Sequence, residues 1–262
     1  MRKGCLFLAV MLVVMAEMIL LPSWAQSEFY VGAYLGPSFA SSIDPDFEFH
    51  DKNLPPEQID PNRFVFATRT ARGVSVDPAL LLGGKIGYWF TQKSIFGLQM
   101  PSWLKYFGFE VDVSYQSLRW PRQEVTIEPI NTRQVLEMDG SAITVAFLFL
   151  ARYGFYRDAD VPLGRLQPYV GIGPAVVITS TKLNIGTDFR STEGDLGLAV
   201  ETGLRYMIHP KFSLNAAFRY RYLPTHVDVD DRIFDLGQKS RYIAMRTTYQ
   251  MFDLMFGVAY YF

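Results

Sequence analysis

The stretch Met251-Phe252-Asp253-Leu254-Met255-Phe256-Gly257-Val258-Ala259-Tyr260-Tyr261-Phe262 divides almost completely at every second residue. Phe252, Leu254, Phe256, Val258, Tyr260 and Phe262 fall on one side. Met251, Asp253, Met255, Gly257, Ala259 and Tyr261 fall on the other. Successive side chains of an extended chain point to opposite faces, so this pattern predicts a β-strand with one apolar face and one face of small or charged groups.

The same period runs back along the chain. Phe109, Val111, Val113 and Tyr115 oppose Gly108, Glu110, Asp112, Ser114 and Gln116, while Leu196, Leu198, Val200, Leu204 and Tyr206 oppose Gly197, Ala199, Glu201, Gly203 and Arg205. Leu214, Ala216, Phe218, Tyr220 and Tyr222 oppose Ser213, Asn215, Ala217, Arg219 and Arg221. Weaker versions occupy 28–40, 79–91, 142–153 and 168–181. That makes about eight segments, each long enough to cross a bilayer on a tilt.

A soluble up-and-down barrel with its apolar face inward has the same period, so alternation leaves lipid and water open as the outer medium. The composition of the faces separates them. The small face carries Gly32, Gly36, Gly83, Gly87 and Gly171, suited to a crowded interior, and the apolar face carries rings near strand ends, as in Tyr88 with Phe90 and Tyr260 with Phe262. Such bunching is the girdle of a membrane barrel. The small face also bears Lys85, Glu110, Asp112, Arg152, Glu201, Arg205, Arg219, Arg221 and Asp253. Turned to lipid, each charge costs about 2–4 kcal/mol at midplane, and together more than the roughly 5–15 kcal/mol that holds a typical fold. They therefore point inward, where five cations and four anions are expected to pair as a network filling the lumen. The expected fold is all-β: a transmembrane up-and-down antiparallel β-barrel of about eight strands, closed by the last strand lying beside 28–40.

The start of the chain reads differently. Arg2 and Lys3 precede an apolar run from Leu6 to Leu21, and Ser23-Trp24-Ala25 ends it in a small-x-small site before Gln26. The run is short for a bilayer crossing of about 30 Å and Glu17 interrupts it, which predicts a signal peptide, residues 1–25, cleaved after Ala25, and a barrel domain over 26–262. Cys5 is the sole cysteine, so the mature chain has neither disulfide nor thiol chemistry. With 25 basic and 26 acidic residues there is no strong field to hold nucleic acid.

With the N-terminus starting in the periplasm, the long polar connections 41–78, 119–141, 182–194 and 224–248 face outward, and 92–105, 154–166 and 207–211 face the periplasm. Ile95 to Leu104 is read as a small interfacial helix.

The chain resembles the OmpA-like, opacity-type outer-membrane barrels. The resemblance is carried by Phe29-Tyr30-Val31-Gly32-Ala33, by Tyr169-Val170-Gly171-Ile172-Gly173-Pro174, and by Glu201-Thr202-Gly203-Leu204-Arg205-Tyr206 running through a short turn to Phe218-Arg219-Tyr220-Arg221-Tyr222. It ends on Phe256-Gly257-Val258-Ala259-Tyr260-Tyr261-Phe262. The family implies a place in the bacterial outer membrane among lipid and lipopolysaccharide. Phe256, Val258, Tyr260 and Phe262 would be the terminal signal read by the barrel-assembly machinery after passage by periplasmic chaperones. An envelope scaffold, an adhesin-like surface antigen or a narrow porin-like channel would be its function, with an unknown extracellular ligand. The barrel is expected to stand without a peptidoglycan-binding domain, and 41–78 and 119–141 are longer than the family pattern, so any special role is expected there.

Signals of chemistry are weaker. A lipid-cleaving barrel enzyme needs a histidine-activated nucleophile beside a carboxylate. The mature chain offers His50 as a solvated pair with Asp51, His209 in a periplasmic turn far from the outer leaflet, and His226 near Asp228 without a serine on the same face. Asp228, Asp230, Asp231 and Asp235 lack the calcium-loop pattern, and Lys239, Arg241 and Arg246 give only a diffuse basic loop. No cofactor, metal or catalytic site is expected.

Overall fold

The computed structural model describes residues 28–51, 69–91, 94–95, 98–99, 101–129, 131–184, 188–231 and 241–262. Residues 1–25, where a signal peptide is expected, Asp235 and Lys239 lie outside the described residues. So do the side chains of His50, Asp228, Asp230, Asp231 and Arg241.

Twelve strands follow in order: β1 (Glu28–Ala40), β2 (Asp46–Asp51), β3 (Arg69–Arg72), β4 (Ala79–Trp89), β5 (Ser94–Ile95), β6 (Leu98–Gln99), β7 (Phe107–Glu128), β8 (Thr132–Arg152), β9 (Leu166–Asn184), β10 (Asp188–His209), β11 (Phe212–Asp231) and β12 (Arg241–Tyr261). At membrane level β1, β4, β7, β8, β9, β10, β11 and β12 form an antiparallel ring of eight. It closes where β12 pairs with β1, from Tyr30 opposite Tyr261 to Ala40 opposite Met251. The expected eight-stranded barrel and its closure at the last strand are both present.

The strands are much longer than the segments read from the sequence. β7 has 22 residues, and at about 3.4 Å per residue and a tilt near 40° it climbs roughly 55 Å, about twice the apolar band of such a barrel. The connections 119–141, 182–194 and 224–248 were expected to be loops. Most of their described residues instead continue the strands above the membrane. The reason is visible on β7. Its outer face runs Phe109, Val111, Val113, Tyr115 and then Ser117 and Arg119, while its buried inner face runs Glu110, Asp112, Ser114, Gln116 and then Leu118 and Trp120. Where lipid gives way to water outside, the polar face turns out and the apolar face turns in, so the period survives but its sense inverts. A register shift between Trp120 and Gln123, around Pro121, moves the inward positions to Val125 and Ile127 and keeps apolar groups inside.

β1 and β4 only span the membrane. Their place in the upper ring is taken by β2 and β3, which pair with β12 and β7 respectively and with each other. The first long connection thus returns as two strands that keep the upper ring at eight, and Ile43, Phe47, Ala71 and Val74 from this region are buried within it.

At the opposite end, Ile95 to Leu104 does not form the expected helix. It holds the β5–β6 hairpin, followed by a 3-10 helix at Ser102–Tyr106. Trp103 packs edge-on to Phe107 and Tyr106 stacks on Tyr153, adding to a girdle that includes Phe29 against Phe262 and Phe212 against Tyr260. The turn over 153–165 folds under the lumen with Val161 buried. Asp158 accepts the Val161 amide at 2.7 Å and a bond from Arg165, which also donates to the carbonyls of Met207 and Ile208.

Candidate functional site: the filled lumen

The interior is occupied in three layers. In the middle layer Arg219 on β11 reaches Asp112 on β7 through a bidentate pair, Nη1 to Oδ1 at 2.7 Å and Nη2 to Oδ2 at 2.8 Å. The same guanidinium donates to Glu201 Oε2 from Nε at 2.8 Å and Nη2 at 2.6 Å, and to the Tyr34 hydroxyl at 3.1 Å. Tyr34 in turn donates to Asp112 at 2.8 Å. Lys85 on β4 lies 3.3 Å from Glu201 and 3.4 Å from Glu110, while Tyr169 donates to Glu201 at 2.6 Å and Tyr30 to Glu110. A second centre joins Arg221 to Asp253 at 2.7 Å, with bonds from Arg221 to Gln116, Thr144 and Ser38.

The topology gives these contacts their meaning. In a ring of eight, β7 and β11 stand opposite, as do β4 and β10. Arg219 to Asp112, Arg221 to Gln116 and Lys85 to Glu201 therefore join facing walls directly. All the charged partners are nearly free of solvent contact, and each carboxylate of the middle layer meets at least one cation.

Arg152 and Arg205 sit lower and are held differently. The Arg205 guanidinium is caged by rings, with its carbon 4.7 Å from the centre of Tyr30, 5.3 Å from Trp89 and Tyr169, and 5.6 Å from Tyr261; its Nε donates to Asn215. Arg152 stacks 4.0 Å over Trp89 and donates to Gln167. A ring face attracts a cation strongly once water is gone. Above the ion pairs lies an apolar layer, including Leu118, Trp120, Met138, Leu223, Met245 and Tyr249, all buried.

Sequence reasoning missed this apolar layer and the aromatic cage. Their signals were present: Tyr30, Tyr34, Trp89, Tyr169 and Tyr261 occupy the small-residue side of their strands. Phe256, Val258, Tyr260 and Phe262, expected as a terminal signal, all lie on the outer face of β12 or in the girdle.

His226 Nδ1 stands 2.9 Å from Asp195, and its amide donates to the same carboxylate. His209 Nδ1 accepts the Lys211 amide at 3.3 Å. Among the described residues no group of three His, Cys, Asp or Glu is placed to hold a metal.

These features define a class: a transmembrane antiparallel β-barrel whose lumen is packed with its own side chains. The chain belongs to the outer membrane protein β-barrel domain family, whose model matches residues 5–262, and its place is the bacterial outer membrane. The solved structure of the outer membrane protein OprG from Pseudomonas aeruginosa is similar in fold, at 14% identity and a TM-score of 0.50, covering 90% of this chain and 97% of that one. Neisserial surface protein A is 17% identical with a TM-score of 0.42, covering 89% and 97%. A search of curated protein sequences returns no match.

Proposed function

We propose that this protein is a non-enzymatic, non-conducting barrel serving as an envelope scaffold or surface-recognition protein, in which the membrane ring anchors and the water-facing upper wall meets an extracellular ligand. The observation that carries this reading is the set of direct bonds between opposite walls. An ion entering the lumen would have to part the Arg219–Asp112 pair, whose two charges have no solvent to replace the lost partner. The apolar layer above and the 153–165 turn below add two further barriers. The upper wall offers a contrasting surface: Arg119 pairs loosely with Asp77 and Asp139, and Arg133 with Glu124, all more than a third exposed.

Liposome swelling with small sugars and mass spectrometry of lipid A from expressing cells test the reading together. Swelling no faster than for empty liposomes and unaltered lipid A are expected. Sugar entry would make the protein a channel, and trimmed or extended lipid A would make it an enzyme.

A further inference from the structure

Charge is unevenly distributed along the axis. Lys85, Arg219 and Arg221 stand among Glu110, Asp112, Glu201 and Asp253, so the ion-paired layers carry a slight negative excess. The layer beneath carries Arg152 and Arg205, and among the described residues the Nη1 and Nη2 groups of Arg205, buried to 1% exposure, meet no hydrogen-bond partner. Immediately below, a cavity of about 400 Å³ opens at the periplasmic mouth.

Its lining continues the positive sign. Lys105, Arg157 and Lys211 join Arg152 and Gln167, with Asp160 as the acidic member. The three outer cations come from three separate connections: Lys105 from the 3-10 helix, Arg157 from the 153–165 turn and Lys211 from the β10–β11 turn. Asp160 is shared with Arg165 at 3.8 Å, so the lining's four cationic side chains face one carboxylate side chain that already has a partner. Positive charge in a cleft with low-dielectric walls focuses its field on an anion, and Lys and Arg donors match phosphate oxygens.

The level of the mouth narrows the choice of anion. Tyr106, whose ring lies 5.2 Å from Lys105 Nζ, belongs to the aromatic girdle together with Trp103, Tyr153 and Phe262. A girdle sits at the depth of lipid headgroups. We propose that the periplasmic mouth binds a phosphate group, supplied by an anionic phospholipid headgroup of the inner leaflet, with free phosphate as the other source. This site is independent of whether the lumen conducts.

Native mass spectrometry of the detergent-solubilised barrel, with phosphatidylglycerol, phosphatidylcholine or inorganic phosphate added, tests it. Phosphatidylglycerol is expected to be retained over phosphatidylcholine. The K105A/R157A/K211A variant, whose side chains are exposed and whose folding is checked by heat-dependent gel mobility, is expected to bind it roughly a hundredfold more weakly. The charge-keeping K105R/R157K/K211R variant is expected to retain it. Displacement of the lipid by inorganic phosphate at equal concentration would support the phosphate site and assign it to the free ion. Equal retention of the two lipids, or undiminished phosphatidylglycerol binding by the alanine variant, would overturn the proposal.

Discussion

Arg219 shows how much one side chain can carry. It faces two carboxylates, Asp112 and Glu201, both without solvent contact. Arg219→Ala leaves Asp112 buried without a cation and Glu201 with Lys85 alone, and an expected loss of about 3–5 kcal/mol should be read by urea unfolding in lipid vesicles. Arg219→Lys keeps the charge but not the fork that spans Asp112 and Glu201 together, so it should recover only part of that loss. The Arg221–Asp253 pair gives a cleaner comparison: R221M/D253L should cost less than either single substitution, because an apolar replacement removes both desolvation penalties at once. The inward direction of these charges was legible from a period of two. Their pairing was not, because Arg219 and Asp112 are 107 residues apart and meet only when the ring closes. Arg205 was expected among ion pairs and is held by rings instead, for its layer supplies Tyr30, Trp89, Tyr169 and Tyr261 in place of a carboxylate.

Strands and turns set where those side chains can stand. Gly87 lies against the ring of Tyr30, where a Cβ would come within 2.3 Å of the Tyr30 Cζ and hydroxyl oxygen. Gly87→Val should push the Tyr30 hydroxyl away from Glu110 and cost about 1–3 kcal/mol of overpacking, measured by the same unfolding assay. The upper strands were the least legible elements. Arg119 and Asp139 read as loop residues because outward polarity above the membrane looks like a polar connection when the inner face is not followed separately. A cysteine at Val135, on the exposed upper wall, should react with an impermeant maleimide on intact cells, and one at Lys211 only after the outer membrane is opened. The reverse pattern would invert the orientation. At the lower end, hydrogen bonds from Arg165 and the Val161 amide hold the exposed Asp158 carboxyl below the ordinary aspartate range. A depressed folded value means that the carboxylate's contribution is present at neutral pH and is lost as pH falls through that lowered value. The Val161 amide resonance should therefore move with a midpoint below that of an unperturbed aspartate, and Asp158→Asn should abolish the movement.

The whole molecule depends on one seam. β12 closes the ring against β1, and its end adds the rungs Val31–Tyr260 and Tyr30–Tyr261 and the ring contact of Phe29 with Phe262. Removing Tyr260 to Phe262 should leave the chain in the periplasm, as read by cell fractionation; normal insertion would show that neither the seam nor a terminal signal needs them. The ring itself was legible because lipid imposes one rule on eight segments. The second ring of β2 and β3 was not, since six-residue and four-residue strands in a polar connection carry too little period to be seen. Above all, the molecule is a barrel filled from wall to wall by its own side chains. Planar-bilayer recording of the refolded protein tests this most directly: the bilayer should remain electrically silent across the physiological voltage range, and steady stepwise currents from the intact chain would contradict it.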